Sequence, residues 1–260
     1  RIGVIVDAIV EKAVTDVEAK YDGIQPEQLK TIRPDAKLRQ RLNKTVSRTL
    51  NEGWKIGVIS ASGEIGLIRR EFTADQQRLD LASSDFLDFA SFTMTGNITD
   101  KVFELIRGII TTGVQNDKSL STVKKEIYEG LASRGLVTEN AVIKALGAKP
   151  GNIKNTDALI STMTRTNMFK AVNDARHSYF TDPEMGGFVE ALEYSAILDE
   201  RTTAICEHLD GTVHPATSDI WDTYRPPNHH NCRSILIPVT AVDTWSESDT
   251  PTLDPQKGFA

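Results

Sequence analysis

Residues 198–238 read LDERTTAICEHLDGTVHPATSDIWDTYRPPNHHNCRSILIP. This window holds both cysteines of the chain, Cys206 and Cys232, and four of its five histidines, His208, His214, His229 and His230. His177 alone lies outside. Scatter rarely gathers every thiol and nearly every imidazole into one short stretch. The pattern points to a module near the C-terminus that is clamped by a metal or cross-linked.

Ligand spacing narrows this. Zinc takes four ligands in a tetrahedron, mostly thiolate sulfur and imidazole nitrogen. Cys206 and Cys232 supply two. The third comes from the H-x-x-C knuckle that ends at Cys232, and the backbone decides which histidine serves. In an extended chain His230 shares a face with Cys232; in a turn or helical start His229 does. Pro226, Pro227 and Asn228 come just before and favour a turn, which selects His229. The fourth position stays open. His208 sides with Cys206 if that segment is extended, and Asp210 does if it is helical. Asp199 and water are further choices. The working ligand set is Cys206, His208, His229 and Cys232, around a structural Zn2+. A disulfide competes with this reading, weakly so in a reducing compartment. His214 is expected on a solvated loop.

Composition bounds the rest. The 260 residues are 39% hydrophobic and 25% charged, an ordinary globular balance that suits one large domain or two small ones. A net charge of -6 excludes a uniformly basic nucleic-acid coat. Two cysteines are too few for a disulfide-built scaffold. No run approaches the roughly eighteen apolar residues of a membrane span. The apolar opening RIGVIVDAIVEKAV is broken by Asp7, Glu11 and Lys12, unlike a signal peptide. A start at Arg1 is expected of a fragment or a processed product.

In chain order, residues 1–29 open with an apolar run that fits a helix or a strand, punctuated by Gly23 and Pro26. A helix is expected over 35–51, after Pro34. On it Lys37, Arg41, Lys44 and Arg48 recur at steps of four, three and four, so they share a face. From Lys30 to Arg70, ten basic residues stand against Asp35, Glu52 and Glu64, an excess of +7. That stripe reads either as a phosphate-tracking surface for DNA or as a solvated helix face. From Glu71 to Asp100 six acids stand against Arg78. The two stretches could pair within the fold or across a subunit contact. The glycines of 53–68 lack the spacing of a phosphate loop and predict close helix contacts or turns. Phe86, Phe89 and Phe92 are expected as core or interface anchors.

The middle of the chain reads as a helical bundle. The apolar stripe Val102, Leu105, Ile106, Ile109, Ile110 and Val114 predicts a helix over 99–114. A second is expected over 121–133, ended by Gly135, and a short third over 139–146, stopped by Gly147. Lys149-Pro150-Gly151 is a break and the expected domain boundary. A long helix over 157–180, with Thr156 as N-cap, carries Arg165 toward acids of the C-terminal module. A strand follows over 188–198, Asp210-Gly211 suits a hairpin turn, and RSILIPV over 233–239 predicts a strand that pairs back. The fold class is therefore α+β: a mainly helical N-terminal and middle part with a small, zinc-clamped C-terminal module. The polar tail, 241–260, is expected as an extended arm, docked or mobile.

The residues Asp199, Arg201, Thr202, Cys206, Leu209 and Gly211, followed by PPxHxNCR over 226–233, resemble the C-terminal signature of the Mu F-like phage minor head proteins, the phage head morphogenesis family. The helix before them, with Thr164-Arg165-Thr166 and Ala171 to Arg176, is similar to that family's lead-in. Here His230 stands where the family usually has proline, Asn167 where an acid is common, and Ser234 where it often has another cysteine. The resemblance implies a minor head component attached near the portal and held inside the capsid. It implies a role in head assembly and DNA packaging or ejection, without turnover. Its partners would be the portal protein, other head proteins and double-stranded DNA, in the virion and in the host cytoplasm during assembly. The division it implies is 1–150 as a portal- or capsid-docking region, 151–240 as the head morphogenesis domain, and 241–260 as a tail. The alternative is a metal-dependent nuclease or hydrolase using His229 or His230 with Asp199, although no H-E-x-x-H spacing is present.

Overall fold

The computed structural model describes residues 1–19, 28, 32–69, 73–147 and 157–259. The chain is mainly helical and carries one small sheet. By internal contacts it forms two compact units. One is Arg1–Arg48 with Ala90–Thr164; the other is Thr49–Phe89 with Arg165–Ala260.

The apolar opening is a helix, α1 (Ile2–Glu18). Its buried residues, Ile2, Ile5, Val6, Ile9, Val10, Ala13, Val14 and Val17, follow the three- and four-residue steps of one helical stripe. A long helix α2 (Ala36–Ile68) follows, capped by the Asp35 carboxylate, which accepts from Leu38 N at 3.0 Å. Then come α3 (Gln76–Gln115), α4 (Leu120–Ser133) and α5 (Glu139–Leu146). Ser119 caps α4 through Thr122 N, and Thr138 caps α5 through Ala141 N. Asp7 of α1 accepts from the Thr138 backbone at 3.0 Å and its hydroxyl at 2.6 Å, so the first helix is tied to the start of α5. Gly135 sits just beyond α4 at φ 67°, where a Cβ would lie 2.5 Å from Leu159 N. The expected stops at Gly135 and Gly147 are both present.

Helix α2 is longer than the spacing predicts. It continues through the glycines of 53–68 without a turn. Gly57 explains why glycine is needed there. A Cβ would lie 2.4 Å from Val172 O and 2.7 Å from Ala175 Cβ of the next long helix, α6 (Ala158–Phe180). Gly53 and Gly57 thus admit a close helix contact, while Gly63 and Gly66 have open space beside them; none is a break. Helix α3 likewise absorbs both the phenylalanine cluster and the 99–114 stripe. Phe86 packs on Trp54 with ring centroids 5.4 Å apart, whereas Phe89 and Phe92 are 73% and 66% exposed. Gly23, Pro26, the Lys149-Pro150-Gly151 break and Thr156 lie outside the described residues.

In the second unit, α6 is followed by strand β1 (Val189–Ser195), helix α7 (Ala204–Leu209), strand β2 (Val213–Pro215), helix α8 (Ile220–Tyr224) and strand β3 (Ile235–Thr240). β1 is central and pairs antiparallel with both neighbours, in the order β2-β1-β3. Asp210-Gly211 does not make a hairpin turn. It ends α7, and Gly211 (φ 75°) leads the chain back to β1, where its N–H donates to Tyr194 O at 2.8 Å. The apolar core joins Phe180, Phe188, Leu192, Tyr194, Ile205, Leu209, Trp221 and Leu236 with Ala61, Ile65, Ala74 and Leu79 from much earlier in the chain.

His214 is not on a solvated loop. It lies on β2, opposite Leu192, and is 3% exposed, with its ring edge-on to Trp221. The tail beyond β3 docks on its own unit. Trp245 Nε1 donates to Glu190 at 2.9 Å, Ser248 and Val213 exchange two hydrogen bonds, and Gln256 N donates to Asn228 O at 2.9 Å.

Candidate metal centre

Cys206 occupies the inner face of α7 with Ile205 and Leu209. Two steps along a helix turn a side chain by roughly 200°, so a helical α7 points residue 208 away from residue 206. His208 is accordingly exposed, and its Nε2 accepts from Thr252 N at 3.1 Å. Asp210, which a continuing helix would bring round, leaves helical backbone and accepts from Ala196 N at 2.7 Å. Asp199 is held by Arg233 in a two-pronged ion pair at 2.8 and 2.6 Å. That guanidinium keeps the Asp199 carboxyl far below the usual carboxylate range.

The second knuckle is a turn, as Pro226-Pro227-Asn228 suggests. Cys232 N donates to His229 O at 3.2 Å, and Asn231 takes a positive φ of 58°. A turn places His229, not His230, on the side of Cys232. Helix α6 braces it: Arg165 Nε donates to Asn231 Oδ1 and Asn231 N donates to the Thr166 hydroxyl, both at 3.0 Å. Arg165 therefore meets an amide and not the acids expected for it. His230 is exposed and packs edge-on against Phe259.

Cys206, His229 and Cys232 converge, with their ligand atoms all within 4.8 Å of one another. The sulfurs are 3.7 Å apart, and His229 Nε2 lies 3.1 Å from Cys206 Sγ. Both cysteines are buried and free, and their separation far exceeds the ~2.05 Å of a disulfide. It matches the ~3.8 Å expected between two sulfurs on one tetrahedral zinc with bonds of ~2.3 Å. His229 Nδ1 donates to His230 O at 2.8 Å. That bond fixes the proton on Nδ1 and turns the lone pair of Nε2 toward the thiols, the tautomer a metal ligand needs. Backbone N–H groups of Asn228 and Ser234 donate to Cys232. The Thr203 hydroxyl, beside Cys206, is buried without a partner.

Tyr194 closes the floor of the site. Its hydroxyl is 3.2 Å from Cys206 Sγ and accepts from Asn228 Nδ2 at 3.1 Å. Burial, then the charge of the two sulfurs, pushes its pKa up, so it stays a donor. The Cys232 thiol, joined by the hydroxyls of Ser234 and Tyr194, draws the Cys206 pKa down to about 4 against the cost of burial. Cys232 moves the other way, through its own bond to Cys206 and through burial. The pair thus favours the charge on one sulfur, and a bound cation would draw the proton from the second. The donor set is soft, buried and pre-oriented, and it fits Zn2+. Tyr194 and Asn228 carried no signal in the sequence that tied them to the thiols.

Behind the knuckle, His177 of α6 lies near Arg225, Asp174 and Asp222. Burial, aided by Arg225, lowers its pKa to about 4. A lowered histidine pKa stabilises the fold fully above the unfolded value of roughly 6.5, and that contribution is lost as pH falls toward about 4. Wild type should therefore lose stability relative to His177→Gln, on the order of 3 kcal/mol, between about pH 7.5 and about pH 4. Urea unfolding at several pH values checks this; parallel profiles would refute it.

The fold and site define a helix-rich chain with a small C-terminal α+β unit in which two thiols and one imidazole converge on a group that could hold a metal ion. The model of the family described as Phage Mu protein F like protein matches residues 104–237. The chain belongs to that phage head morphogenesis family, and membership supports a phage head protein. Comparison with curated proteins and with solved structures gave no match. Among the described residues no helix is long and apolar enough to cross a membrane.

Proposed function

We propose that this chain is a minor head protein that sits near the portal inside the capsid and acts in head assembly and DNA packaging or ejection. The family match over 104–237 carries the reading. Residues 1–150 supply helical docking surfaces, 151–240 the head morphogenesis domain, and 241–260 its tail. The metal centre is a structural clamp. Its one imidazole is turned onto a sulfur, and Asp199, the acid a hydrolase would use, is engaged by Arg233. Mass spectrometry of purified heads, with chemical cross-linking to the portal protein, tests the placement. Heads that lack the chain would overturn it.

DNA contact has its own support. Lys37, Arg41, Lys44 and Arg48 are all exposed on α2, and among the described residues none forms an ion pair. Among the described residues no acid of α3 forms an ion pair with them, and Arg78 pairs with Asp182 and Glu184. An unpaired basic stripe binds duplex DNA by releasing counterions. Replacing all four by alanine should reduce the slope of log affinity against log salt by ~3–4. An unchanged slope would remove DNA from the partners of this face.

A further inference from the structure

A clamp of three protein ligands leaves one position of a tetrahedron to fill. The candidates visible in the sequence are committed elsewhere: His208 to the tail, Asp210 to Ala196 N, and Asp199 to Arg233. The chain after Cys232 offers another. Residues 232–236 alternate strictly, with Cys232, Ser234 and Leu236 buried and Arg233 and Ile235 partly exposed. Alternation of this kind puts residues two apart on one face. Ser234 therefore points inward beside Cys232, and it is 2% exposed. Its hydroxyl interacts with both Cys206 and the Tyr194 hydroxyl. The Thr203 hydroxyl, buried without a partner, lies near the same sulfur. Small neutral hydroxyls thus flank the cluster, and such groups hold water well but are poor metal ligands at neutral pH.

We propose that the centre binds its ion through Cys206, His229 and Cys232 alone, and that its fourth position, faced by Ser234, belongs to an exchangeable small ligand, water in the resting protein. This rests on the reading of the cluster as a metal clamp. Closed structural sites carry four protein ligands, whereas a site with a free position admits an outside donor. The clamp is then one that small anions can reach, and its ion exchanges faster than in a closed site.

The test uses the full chain loaded with Co2+ under reducing, oxygen-free conditions, in wild type, Ser234→Cys and His208→Ala. Wild type should show thiolate-to-cobalt absorption for two sulfurs, and thiocyanate should shift its visible bands. Ser234→Cys should raise the thiolate absorption by about half, three sulfurs replacing two. It should also abolish the thiocyanate response and tighten Zn2+ against a chelator by about tenfold or more. His208→Ala should leave the spectrum unchanged. A cobalt-loaded wild type blind to thiocyanate would overturn the open position and leave the clamp standing. A spectrum altered by His208→Ala, or unaltered in metal-loaded Ser234→Cys, would do the same. A wild type that binds neither Co2+ nor Zn2+ would overturn the clamp itself.

Discussion

Cys232→Ser is expected to unfold the C-terminal half of the protein. Each thiol lies inside the core, next to the Tyr194 hydroxyl and within the cluster that includes Leu209, Trp221 and Leu236. Structural zinc contributes ~10–16 kcal/mol in peptide sites, as much as the entire stability of a typical domain, roughly 5–15 kcal/mol. Losing one thiolate leaves two ligands and a segment, 211–231, held only by the short β2 and α8. The variant should bind no Zn2+ and be digested by trypsin within the second unit under conditions where wild type resists. Chelation of wild type should reproduce that pattern. A Cys232→Ser protein that binds no metal and is still as resistant as wild type would show that packing alone holds the module.

Arg176→Ala should be the next most damaging change. The Arg176 side chain is 1% exposed. Its Nε and one terminal nitrogen donate to Leu236 O on β3 at 3.0 and 2.6 Å. The guanidinium also grips both oxygens of Glu64 at 2.7 and 2.8 Å and reaches the Ser60 hydroxyl. One side chain thus joins α6, α2 and β3. Its removal leaves a cavity, a carbonyl without its donors and a carboxylate without its partner. The expected loss is ~3–5 kcal/mol, and Arg176→Lys, without the planar fork, should recover only part of it. Urea midpoints decide this, and a loss below ~1 kcal/mol would show that the network is redundant.

The convergence of Cys206, His229 and Cys232 was legible because these residue types are scarce and the turn is announced by two prolines and an asparagine. His208 could not be settled in advance. Its placement depends on whether six residues around Cys206 are helical or extended, and periodicity over so short a stretch does not discriminate. The long helices were legible only in part. Gly53 and Gly57 left close helix contacts and turns equally open, and they prove to be close contacts with α6 inside one continuous helix. His214 was misplaced because its partners, Trp221 and Leu192, become neighbours only once β2 pairs with β1. Arg176 looks like any helix-surface arginine until Glu64, 112 positions earlier, is seen beneath it.

That last distance bears on heredity. The thiol-bearing half draws Ala61, Ile65, Ala74 and Leu79, together with the carboxylate of Glu64, from sequence that precedes the recognisable signature. A recombination event that carried only 104–237 into a new chain would transplant the ligands without the surface beneath them. Exchange among phage genes should therefore preserve 49–89 together with the signature, or else supply a substitute helix pair bearing an acid where Glu64 stands.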